Sequence, residues 1–127
     1  LNVDTIADKA GTGPVGLTKQ AAPKLFVKYD GGSAATEGVS LNVSSVTDAS
    51  TGRQSPNFTN SFSNADYAVQ GTASDTLGGA NRAMLVNQDN AGAQTTSSSR
   101  IGVVIGENAN TYTDAESVSV ALMGDLA

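Results

Sequence analysis

No cysteine, histidine or tryptophan occurs in the 127 residues. Without cysteine there is no disulfide, no thiol chemistry and no thiolate-bound zinc. Without histidine the commonest general base is missing, and with it the Ser-His and Cys-His nucleophile pairs. Stability has to come from packing and hydrogen bonds, and cysteine usage says nothing about the redox compartment. Large apolar groups are also scarce: 8 Leu, 3 Ile, 12 Val and 3 Phe, or 26 of 127 positions. A core this thin predicts help from outside the single chain, through burial against further copies. Basic residues are few, 7 Lys and Arg against 12 Asp and Glu, and they are dispersed. Phosphate backbones call for clustered cations, so a nucleic-acid partner is not expected. No run approaches 18 apolar residues, which argues against membrane insertion by a helix. The start, Leu1-Asn2-Val3-Asp4, lacks the basic-then-apolar order of a signal peptide and has no Met. That reads as part of a longer chain, or a processed one.

Valine, leucine and isoleucine are arranged in order. Residues 1–23 form a first region, a connector or stalk. Leu1, Val3 and Ile6 start it, and Gly11-Thr12-Gly13-Pro14-Val15-Gly16 is too rich in Gly and Pro for a regular helix. Residues 24–127 form the second region, which reads as β throughout. Leu25–Tyr29 predicts a strand closed by the turn Asp30-Gly31-Gly32. Val39, Leu41 and Val43 alternate with Ser40, Asn42 and Ser44, which predicts a strand with those three side chains inward. Val46 breaks the parity and places a bulge or strand end near Ser44-Ser45. Asp48–Gly52 reads as a turn, and a short strand plus loop is expected between Phe58 and Phe62. Tyr67 and Val69 alternate up to Gly71, with a loop over residues 72–80. Arg82–Val86 reads as a strand, Gln88–Ala93 as a turn, and Thr95–Ser99 as a polar strand extension. Ile101/Val103/Ile105 and Val118/Val120/Leu122 complete the series. The expectation is an all-β, antiparallel, jelly-roll-like β-sandwich of about seven or eight strands with an extended N-terminal stalk.

Each motif has a bland counterpart. Gly11-x-Gly13-x-x-Gly16 has the dinucleotide-binding spacing, but Pro14 interrupts it and no strand precedes it, so it reads as connector. Glu37, Glu107, Glu116 and the nine Asp offer carboxylate pairs for glycosidase chemistry, yet they fall at turns and strand ends, where backbone geometry favours acids. Asp30, Asp48, Asp89 and Asp114 lack EF-hand spacing, so no metal or cofactor is expected. Asn42-Val43-Ser44 and Asn57-Phe58-Thr59 match glycosylation sequons by composition. Of the six Phe and Tyr, Phe26, Phe58, Phe62 and Tyr67 read as core. Tyr112, in the polar loop Glu107–Asp114, is the best surface aromatic; with Asn108, Asn110 and Asp114 it makes the candidate ligand-binding set.

The order of several phrases resembles the distal domain of phage tail fibres and related virion proteins, especially those of marine phages. They are Leu25-Phe26-Val27-Lys28-Tyr29-Asp30-Gly31, Leu41-Asn42-Val43-Ser44-Ser45-Val46-Thr47-Asp48, Asn57-Phe58-Thr59 and Asn64-Ala65-Asp66-Tyr67-Ala68-Val69-Gln70-Gly71. The closing Ser98–Gly102 and Thr113–Asp125 are similar to that family's end, and Val3–Ile6 with Val15–Gln20 to the segment before it. The opening strand departs from the pattern with Leu25-Phe26 where the family often has Ala-Trp, and Arg53-Gln54-Ser55-Pro56 interrupts it. The resemblance implies a structural role in the virion, a homotrimer, other virion proteins as partners, and contact with a host-surface glycan or protein. In such a trimer Leu1, Val3 and Ile6 would meet on the axis. Receptor specificity is not implied, because family members differ most in their loops. The leading expectation is therefore a non-catalytic, trimeric tail-fibre tip that contributes to host attachment. The alternatives are a bacterial carbohydrate-binding or adhesin β-sandwich and, behind it, an enzyme using a carboxylate pair.

Overall fold

The computed structural model describes residues 22–74, 84–88, 94–105 and 111–127. It is all-β, and the described residues contain no helix. The strands are β1 (Leu25–Tyr29), β2 (Val43–Ser50), β3 (Arg53–Phe58), β4 (Ala68–Ser74), β5 (Met84–Gln88), β6 (Ile101–Ile105) and β7 (Ser117–Met123). They form two antiparallel sheets, ordered β1-β7-β4 and β2-β3-β6-β5.

The three-stranded sheet follows its sequence pattern closely. β1 buries Leu25, Val27 and Tyr29, and β7 buries Val118, Val120 and Leu122. These residues meet Phe58, Ile101 and Val103 of the other sheet in one hydrophobic cluster. Period-2 alternation puts the β1 and β7 side chains on one face of their sheet, and burial of each Val or Leu contributes about 1.5–3 kcal/mol. Gly71 lies against the other sheet with no room for a side chain: a Cβ there would stand 2.6 Å from Val86 Cγ1 and 3.0 Å from the Ser119 carbonyl oxygen. Phe58, Phe62 and Tyr67 close one end of the core edge-to-face and tilted, with ring centroids 4.6–5.8 Å apart. The Tyr67 hydroxyl donates to the carbonyls of Thr95 and Ser98 at 3.0 and 2.9 Å, and burial pushes its pKa above the ordinary value.

Several segments depart from the sequence expectation, among them Asp48–Ser50, expected as a turn, which lies in β2. Val39, Leu41 and Val43 do not share one inward-facing strand: Val39 is 81% exposed and Leu41 45% exposed, while Val43 packs against the core as the first residue of β2. Gly38 and Asn42 hold left-handed backbone at φ 75 and 59, so the extended run is broken on both sides of Val39–Leu41. Asn42 thus precedes the strand and is not within it. Arg53–Phe58, expected as an interruption, is β3, and its inward face is Gln54, Pro56 and Phe58. A hydrophobic-periodicity reading passes over such a face because two of its three residues are not aliphatic. β4 runs on past Gly71 to Ser74, into the expected loop, and β5 includes Gln88. Thr95–Ser99 is no strand but a turn: Thr95 Oγ1 accepts from the backbone N–H of Ser97 and Ser98 at 3.2 and 2.9 Å. The irregularity expected near Ser44-Ser45 is present as a register shift between Val43 and Ser45.

Candidate functional site

Of the ligand-binding set read from the sequence, Asn108 and Asn110 lie outside the described residues, as do Leu1, Val3 and Ile6, Asp89, Glu107 and the Gly11–Gly16 motif. Tyr112 and Asp114 are described, and both serve the frame. Tyr112 bridges to Val104 of β6, and the Arg53 guanidinium sits 3.8 Å from its ring centroid. Asp114 Oδ1 accepts from the Gly52 N–H at 2.5 Å. That turn needs Gly52, because its φ is 64 and a Cβ would collide with the Thr113 backbone. The two residues therefore pin the β2–β3 turn to the segment leading into β7.

Other polar candidates are similarly engaged. The Asp30 carboxylate accepts from the N–H groups of Ser33 and Gly32, and these bonds lower its pKa below the ordinary value. Glu37 pairs with Lys28 at 3.0 Å and accepts from the Ser117 hydroxyl at 3.4 Å. Asn57 spends its side-chain amide across the hairpin on Ser45 Oγ and Thr47 Oγ1, and Asn42 exchanges two hydrogen bonds with the Asn60 backbone. Among the described residues no three carboxylates gather where a metal ion could be held. No helix among them is long and apolar enough to cross a membrane.

The outer face of the three-stranded sheet is different. Strand register lays two rows of outward side chains across it: Phe26–Ala121–Gln70 and Lys28–Ser119–Thr72. The central strand supplies the small residue in each row, and its neighbours supply the larger ones. The result is a trough of about 380 Å³ along β7, with its floor on Val27, Val120 and Gly71. Rows on one face repeat every ~7 Å along a strand. Residues 36–41 run antiparallel beside β1, through bridges Tyr29↔Thr36 and Phe26↔Leu41, and bring Val39 to the trough wall. Phe26 is 39% exposed there and is not core. Its parity within Leu25–Tyr29 is the sequence signal that places it outside: if Leu25, Val27 and Tyr29 face in, residue 26 faces out. No comparable signal existed for Val39 and Leu41, whose alternation pointed the other way.

Gln70, Thr72 and Ser119 make no side-chain hydrogen bond with any described residue, so the trough joins an apolar wall to free amide and hydroxyl groups. A search of protein-family models, curated proteins and solved structures finds no match to this chain.

Proposed function

We propose that this chain is a non-catalytic module that presents a binding surface, the distal domain of a phage tail fibre or similar virion appendage. The observation that carries this reading is the open trough on the outer face of the β1-β7-β4 sheet. There Phe26 and Val39 stay exposed while the opposite face of the same sheet is sealed. An exposed apolar wall beside unspent polar groups suits contact with a partner. The chain folds as a jelly-roll-like sandwich of seven or eight strands behind an N-terminal stalk and acts as a homotrimer. In that homotrimer Leu1, Val3 and Ile6 of three chains meet on an axis and three identical surfaces act together. Linked weak sites gain ~10²–10⁴ in avidity without any new contact.

The test has two parts. Sedimentation equilibrium of the intact chain should give three chain masses at micromolar concentration, and antibodies to it should decorate one end of an appendage on intact particles. One chain mass refutes the trimer, and absence from purified particles refutes the virion role. The same trough suits a bacterial carbohydrate-binding or adhesin domain. The neighbouring genes separate the two readings, since virion genes lie together.

A further inference from the structure

We propose that the trough between Phe26/Lys28 and Gln70/Thr72 is a binding site for a neutral saccharide unit, seated along β7 over Ser119 and Ala121. This deepens the surface-presenting role proposed above and rests on it.

Three observations converge on that chemistry. A pyranose has an apolar face of C–H groups and a rim of hydroxyls, so its site needs a flat apolar surface next to donors and acceptors. The trough has both: the partly exposed Phe26 ring with Val39 and Ala121 on one side, and the Gln70 amide with the Thr72 and Ser119 hydroxyls on the other. The polar groups are free to exchange water for a ligand, since none is spent within the described protein. The charge also selects. The cation at the trough, Lys28, is neutralised by Glu37 at 3.0 Å, so the site offers no net charge to attract an acidic sugar or a phosphate. Finally the size fits. A volume of about 380 Å³ lies at the lower end of small-molecule sites, roughly 300–1,000 Å³. The ~7 Å spacing of the two rows lets one ring touch both. Small side chains at positions 119 and 121 keep the floor clear; a larger residue at either would fill it.

The experiment is a titration of the ¹⁵N-labelled chain with the methyl glycosides of glucose, galactose and mannose, and with N-acetylglucosamine and glucuronic acid, each to tens of millimolar. At least one neutral sugar should shift the amides of Gln70, Thr72, Ser119 and Ala121 as a group. Phe26→Ala should weaken that binding about tenfold, as loss of one aromatic contact does. Ala121→Phe, at an outward position, should abolish it while leaving the unfolding midpoint unchanged. Gln70→Ala gives a second, smaller change if Ala121→Phe fails to fold. No shift with any sugar overturns the proposal. So do shifts confined to the segment around Tyr112, or tighter binding of glucuronic acid than of every neutral sugar. A trimer present on particles that shifts with no sugar refutes the trough alone. A monomer absent from particles that still binds sugar in the trough refutes the virion role and leaves the site standing.

Discussion

The three-stranded sheet has two faces made by the same strands, and they differ in nearly every physical respect. The inner face carries Leu25, Val27, Tyr29, Val118, Val120 and Leu122, each at most 3% exposed and packed into one cluster. The outer face carries Phe26, Lys28, Ser119, Ala121, Gln70 and Thr72, which line an open trough. Folding free energy is concentrated on the first, because burial of apolar surface is the main favourable term. The second is left with little structural duty, and its residues are free to be chosen for binding. One strand with period-2 alternation supports both tasks because neighbouring side chains never share a face.

Truncation of one residue on each face separates the two roles. Leu122→Ala should destabilise by about 2–5 kcal/mol, from lost burial plus a cavity. Gln70→Ala should stay within about 0.5 kcal/mol of the parent. Urea unfolding of both variants measures the difference, and equal effects would dissolve the division of labour. Gly71 tests how tightly the inner face is sealed. Gly71→Ala directs a methyl into Val86 and the Ser119 carbonyl, which should cost about 1–3 kcal/mol as overpacking. A variant as stable as the parent would mean that the sheets can separate at little cost.

The smallest effect concerns Tyr29, a buried hydroxyl with no partner among the described residues. Burial raises its pKa well above the ordinary 10.0. An acid whose folded pKa is raised favours the folded state fully below its unfolded pKa and loses that contribution as pH rises above it. Stability should therefore fall above about pH 10, the ordinary tyrosine value. Tyr29→Phe should flatten that alkaline limb and leave stability at pH 7 within about 1 kcal/mol of the parent, since no hydrogen bond is lost. Thermal melts across pH 7–11 check both statements.

Val118-x-Val120-x-Leu122 and Val39-x-Leu41-x-Val43 look alike as sequence, yet the first set is buried throughout while Val39 and Leu41 of the second are exposed and only Val43 packs against the core. β7 is the middle strand of its sheet, bonded on both sides, so its alternation has a buried face to fill. Residues 39–41 sit between two left-handed residues, Gly38 and Asn42, and meet the sheet at the isolated bridge Phe26↔Leu41, whereas Val43 opens β2. Alternation is a local pattern; whether it finds a dry face depends on what lies opposite. β3 shows the converse. Its buried Gln54 is held by a hydrogen bond from Nε2 to the Gly31 carbonyl, at 2.5 Å across 23 residues of chain. Nothing near Gln54 in sequence announces that partner. Tyr112 and Asp114 likewise read as loop residues free for a ligand, and their partners Arg53 and Gly52 lie some 60 positions away.

The residues alone determined that this chain is all-β, that β1, β6 and β7 exist, and that Ser44-Ser45 carries an irregularity. These follow from side-chain parity and turn chemistry, which act over a few residues. Tertiary structure decided which strands are neighbours, that Gln54 is inside and Val39 outside, and that Phe26, Gln70 and Ser119 line one trough. They are brought together by register between strands far apart in the chain. Pairings at that distance depend on the packing of the whole core, which no short window of sequence contains.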